Sequence, residues 1–231
     1  MKVLTLLLFV MGISIAAGCT SQPTLNVSDD AQRSFDGLYP FNNPRVGQAW
    51  ARADVDLSDY TKIKLEGAGI RYRKTSPNAG NRFAARSRET EFPLNAEARE
   101  RLQKTLADAF LAELSALEGY EITQSEGPDV LLVKGMLLDV VSKVPPEPVG
   151  MVDIYLESVG EATLVLELID SETNSVLVRA ADRRDAGSSG TMSMPSNPVT
   201  NWIEVERVAQ MWARMLSKRL SEVSKAIAQT N

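Results

Sequence analysis

Histidine is absent from the 231 residues of the chain, and cysteine occurs once, at Cys19. The first absence removes the side chain most often used as a general base and as a metal ligand near neutral pH. The second excludes an intrachain disulfide and any CxxC metal site. Charge of one sign is not in large excess: 25 basic and 30 acidic residues give a net charge of −5, which excludes a molecule built as a whole to hold nucleic acid. Long apolar runs are missing as well. Val3–Ala17 spans 15 residues interrupted only by Thr5, Gly12 and Ser14, short of the roughly 20 that a membrane-spanning helix needs.

What is present begins with that run. A basic residue, Lys2, precedes it and small residues close it, the pattern of a secretory signal. The closing "AAGC", Ala16–Cys19, resembles the bacterial lipobox, with Ala16 where leucine is usual. The resemblance implies a signal peptide over 1–18, cleavage before Cys19, and acylation of the Cys19 thiol and of the new amino terminus. Two or more acyl chains anchor a protein stably where one would be marginal. Thr20 rather than aspartate follows the cysteine, which by the sorting rule of that class implies the outer membrane, with the domain facing the periplasm. The polar segment 19–34, "CTSQPTLNVSDDAQRS", is expected to be a lipidated flexible tether with a reach of roughly 20 Å.

Residues 35–231 are expected to form one domain, large enough to bury a core without staples. Residues 35–60 are turn-rich with scattered aromatics and read as an irregular segment pinned to the domain. Thr61–Arg73 reads as a strand, with Ile63 and Leu65 on one face. Asn95 is a plausible cap for a helix whose stripe is Leu102, Leu106, Ala109, Phe110, Leu114 and Leu117, stopped at Gly119. A short strand over 120–124 follows, then a long Val- and Leu-rich strand expected to bend at Gly135. Residues 155–184 read as a hairpin turning near 171–175. A second helix, expected to be capped by Asn201 with Glu204, carries Val205, Val208, Ala209, Trp212, Leu216, Leu220, Val223 and Ile227 on one face. The expected fold is α+β: a mostly antiparallel sheet of about five strands with two long helices on one face.

No stretch carries a catalytic pattern. "EGAGIRY" has two glycines and lacks the third of a dinucleotide loop. "DVDLSD" opens like a calcium loop, but Asp59 and Leu65 stand where glycine and glutamate belong, so it reads as a solvated acidic turn. "GSSG" is not a nucleophile elbow, and no histidine exists to activate its serines. One stretch departs from the background. Arg71–Arg88 holds six basic residues, Arg71, Arg73, Lys74, Arg82, Arg86 and Arg88, and no acidic one. It is a candidate contact for an anionic partner; the plainer reading is a solvated loop partly paired with nearby glutamates.

"FDGL", "AWARADVDLSDYTKIKLEGAGIRYR", "PDVLLVKGMLLDVV", "GEATLVLELIDSETNSVLVRAADRR" and "WIEVERVAQMWARMLSKRL" together resemble a family of proteobacterial lipoproteins known as domain of unknown function 3313. The resemblance implies an exported lipoprotein and transfers no catalytic residue. The expected function is non-enzymatic: an outer-membrane-anchored binding or envelope-assembly accessory domain, without cofactor, metal or nucleic acid. Its expected partners are the membrane, through Cys19, and an envelope protein or anionic envelope component. The alternatives are a glycolipid or cell-wall binding module using 71–88 and, less favoured, an envelope hydrolase.

Overall fold

A tight turn at 171–175 builds the centre of the sheet. Thr173 N–H and its hydroxyl both donate to Asp170 Oδ1 at 2.7 Å, and Asn174 takes a left-handed φ of 56°. Asparagine tolerates that region better than other non-glycine residues. The structure, a computed structural model, describes residues 23–76, 79, 90–145, 154–187 and 193–228. In chain order its elements are β1 (Thr24–Leu25), β2 (Tyr39–Asn42), β3 (Gln48–Ala51), β4 (Lys62–Tyr72), α1 (Ala96–Ser115), β5 (Glu121–Ile122), β6 (Val130–Ser142), β7 (Tyr155–Leu156), β8 (Ser158–Asp170), β9 (Val176–Gly187), β10 (Met194–Pro195) and α2 (Pro198–Ala228). Eight strands form one sheet in the order β1-β2-β3-β9-β8-β6-β4-β5, and β7 pairs with β10 apart from it.

The sheet is larger than the expected five strands, and it is mixed. β4 runs parallel to both β5 and β6, because α1 carries the chain back across the sheet between them. The other neighbours are antiparallel. Residues 35–60 are only partly irregular: β2 and β3 lie there, and β3 pairs with β9 from Gln48↔Ala181 to Ala51↔Val178. Thr24 and Leu25, inside the expected tether, pair with Asn42 and Phe41, so the sheet reaches further toward the N-terminus than its composition suggests.

Side chains alternate across each strand, so one face of the sheet collects Ile63, Leu131, Val133, Leu137, Leu164 and Leu168. Both helices pack on that face. α1 contributes Leu102, Phe110 and Leu114, and α2 contributes Val208, Trp212, Ala213, Leu216 and Leu220, to a single core. Each leucine so buried contributes about 1.5–3 kcal/mol. The expected helical stripes are thus the core faces, with Val223 and Ile227 beyond the described side chains. The opposite face carries cross-strand ion pairs: Lys134–Glu66 at 3.0 Å and Arg179–Glu167 at 2.7 Å.

Helix ends follow local hydrogen bonding. Asn95 caps α1, its side chain accepting from Ala98 N–H at 2.8 Å. The helix closes at Ser115, and Gly119, with φ +86°, sits in the turn beyond rather than at the stop itself. α2 starts before Asn201: the Asn197 side chain accepts from Val199 and Thr200 N–H at 3.0 Å, and Pro198 occupies the first helical position that suits proline. Gly135 stays in register. The irregularities fall next to Gly69 in β4, with φ +100°, and at Asp139 in β6, with φ 56°.

Candidate functional site

Where the first turns of α1 and α2 face the far end of β6 and the start of β8, the packing leaves a cavity of about 530 Å³. Phe92 brings the chain to this place before α1 begins, exchanging backbone hydrogen bonds of 2.7 and 3.1 Å with Ser142. α1 supplies Ala98, Leu102 and Leu106; α2 supplies Asn201, Trp202, Val205 and Val208; the sheet supplies Leu137, Val140, Val159 and Ala162. The volume falls in the range of about 300–1,000 Å³ typical of small-molecule sites, and the lining is apolar as such sites usually are.

Five polar side chains border it, Asn95, Ser142, Glu161, Arg184 and Asn201. Asn201 donates through Nδ2 to Ser196 Oγ at 3.1 Å, while its Oδ1 is buried without a partner. Among the described residues no other buried side-chain nitrogen or oxygen lacks one. Arg184 is turned to Asp182, Nε to Oδ2 at 2.6 Å. Asp182 is 7% exposed; it also accepts from Trp212 Nε1 at 2.9 Å and from Gly47 N–H at 3.0 Å. Glu161 is engaged from the other side of the sheet by Arg73 and Arg183, each at 2.5 Å, and by Lys143 at 3.4 Å. The cavity is therefore an apolar enclosure with Asn201, whose buried Oδ1 is unpaired, in its wall.

The basic stretch is partly absorbed by the fold. Arg73 is not a free cation. It lies among Asp139, Glu91 and Glu161, donating to all three. The irregularity at Asp139 turns that carboxylate to Arg73 and Arg183, and Arg73 above all holds the Asp139 carboxyl down at about 2. The Arg73 guanidinium is pushed up in return, chiefly by Asp139. Arg71 and Lys74 are exposed. Arg82, Arg86, Arg88 and Cys19 lie outside the described residues. The "DVDLSD" segment is the solvated turn expected, with Asp56 accepting from Ser58 N–H at 2.8 Å. Among the described residues there is no cluster of metal-ligating side chains, and no helix is long and apolar enough to cross a membrane.

Sequence reasoning assigned Asn201 to a helix cap and Trp202 to no site. The signal was a polar residue one position from a tryptophan near a helix start, which capping explains equally well. Only the placement of Asn197 four residues earlier frees Asn201 for another role.

A family model described as "Protein of unknown function (DUF3313)" matches residues 29–216. No curated protein matches. Several solved structures are similar at low identity. A homolog, so named provisionally, of a neuraminyllactose-binding hemagglutinin from Helicobacter pylori is 13% identical, with 75% of this chain and 92% of that chain covered and a TM-score of 0.40. Protein XCC0632 from Xanthomonas campestris is 11% identical over 78% of this chain and 93% of its own, with a TM-score of 0.39. A candidate lipoprotein from Caulobacter crescentus is 14% identical over 76% and 94%, with a TM-score of 0.30.

Proposed function

The chain belongs to the family described as protein of unknown function (DUF3313), and from that premise we propose that it is a non-enzymatic, lipid-anchored binding domain of the outer membrane, facing the periplasm. Its ligand is an apolar molecule carrying one hydrogen-bond-donating group. The observation that carries this reading is the buried, unpartnered Asn201 Oδ1 at the wall of the apolar cavity. A buried polar atom left unpaired costs about 1–3 kcal/mol, which a ligand group in the cavity recovers on binding. The lipobox-like Ala16–Cys19 supports the anchor. The binding role is supported by the state of the charged groups nearby: Glu161 and Arg184 are already engaged by protein partners.

Trp202 and Trp212 both line the cavity and report its filling. Titration with 1-dodecanol below its solubility limit, whose hydroxyl can donate to Asn201 Oδ1, is expected to change tryptophan emission saturably. Ala98→Phe, which narrows the cavity from α1, is expected to weaken binding at least tenfold with the fold intact by circular dichroism. Asn201→Leu is expected to weaken 1-dodecanol more than dodecane. An emission change that never saturates, or one indifferent to Ala98→Phe, contradicts the proposal.

A further inference from the structure

We infer that the β1–β2 edge of the sheet rests on the bilayer, with Val27 and Phe35 as the contact. The inference rests on anchoring at Cys19. Four residues, Thr20–Pro23, separate Cys19 from β1. Fully extended, at roughly 3.3–3.6 Å per residue, the five steps from Cys19 to Thr24 span about 17 Å. A leash this short does not let the domain tumble freely above the membrane. β1 is also the outermost strand of the sheet on its side. The edge that the anchor pulls down is thus the β1–β2 edge, together with the connection between those two strands, which folds back over the helix-free face to Arg179 of β9.

That connection displays what a lipid surface accepts. Phe35 is 94% exposed and Val27 54% exposed, unusual for large apolar side chains. Phe35 is not on a loose loop. Ser34 Oγ donates to Asp36 Oδ1 at 2.6 Å and accepts from Leu38 N–H at 2.9 Å, while Gly37 supplies the left-handed turn at φ +85°. Asp36 is clamped to Arg179 at 2.7 and 2.9 Å, and Leu38 is 2% exposed beneath. The Arg179 guanidinium lies 5.0 Å from the centroid of the Phe35 ring on the sheet side, and the rest of the ring is open, so the turn has a buried root and an exposed aromatic tip. The exposed charges of the 26–45 segment that make no ion pair among the described residues, Asp29 and Asp30 against Arg33 and Arg45, sum to zero, so the proposed contact is apolar and not electrostatic. The anchor supplies the high local concentration, so the tip needs little affinity of its own to set the orientation.

The test uses the full-length, lipidated chain in vesicles of phosphatidylethanolamine and phosphatidylglycerol. With Cys19 acylated, an engineered cysteine is the one free thiol. Bimane is attached at Val27→Cys, which leaves Phe35 in place, at Phe35→Cys, and at Leu111→Cys, an exposed position on α1. Iodide quenching at 27 and 35 is expected to fall at least threefold on reconstitution and to stay low in 0.5 M salt, with position 111 unchanged. Equal quenching at all three positions in chains that sediment with the vesicles overturns the orientation alone. Chains that fail to sediment after acylation conditions overturn the anchor and the orientation with it.

Discussion

Asp182 holds three distant parts of the chain with one carboxylate. Its oxygens accept from Trp212 on α2, from Arg184 beside it on β9, and from the Gly47 backbone in the turn before β3. Gly47 meets it because nothing larger fits: a Cβ there would stand 2.9 Å from the Ala181 carbonyl oxygen. The carboxylate lies on the helix-covered side of the sheet, where an unpaired group is expensive. Asp182→Ala leaves the Trp212 N–H buried without an acceptor, and is expected to lower stability by roughly 2–3 kcal/mol. Urea unfolding followed by tryptophan emission measures it. A midpoint unchanged from the parent chain rules out the tie. Asp182 was illegible in the sequence. In "AADRR" it reads as one more charge on an exposed strand face, and only the pairing of Leu164 with Asp182 places it on the core side.

At the scale of elements, the long hydrophobic patterns were readable because they are local. The α1 stripe, the 176–187 strand and its turn at 171–175, and the strand over 62–72 stand close to where periodicity puts them. The short strands were not. β2 and β3 have four residues each, too few for alternation to show, and β3 is a strand only because β9 lies beside it. The bend in β6 was placed at a glycine because glycine is the usual residue there. The chain uses Asp139 instead, spending backbone freedom on an ion pair with Arg73. Glycine matters one strand away. A Cβ on Gly160 would stand 2.5 Å from the Val141 carbonyl oxygen, beside that irregularity. Gly160→Ala is expected to destabilise by about 1–3 kcal/mol as β6 and β8 are forced apart at the cavity wall. The readout is the thermal midpoint, and a shift of less than a degree removes the close approach as a constraint. The cavity itself was not legible. Its lining follows the same three- and four-residue spacing as the core, and spacing does not tell a filled space from an empty one.

At the scale of the whole molecule, two carboxylates couple folding to acidity. Arg179 holds Asp36 at about 2, and Arg73 holds Asp139 at about 2, each below the ordinary value of 3.8. A carboxyl whose folded pKa is depressed adds stability above its unfolded pKa, and loses it as pH falls through the folded one. The window is therefore about pH 4 down to 2. Each pair is expected to contribute about 1 kcal/mol once solvent screening is included. Asp36→Asn and Asp139→Asn are each expected to flatten the fall in stability between pH 4 and 2.5, measured by urea midpoints. Slopes identical to the parent chain contradict the assignment.

The Asp36 clamp belongs to a larger asymmetry in the sheet. β8 and β9 are joined by a tight turn and can pair as soon as both exist. β1, β2 and β3 reach the rest of the sheet through β9 alone, and the contact between Gly47 and Asp182 spans 135 positions. Closing such a span is slow compared with forming a hairpin. With export N-terminus first and anchoring at Cys19, as proposed, the earliest strands to emerge would have no place to pair until nearly all of the domain has followed. The segment nearest the anchor is then the last to be structured. Under the proposed anchoring, it would be an open strand edge during that interval, available to any strand within reach.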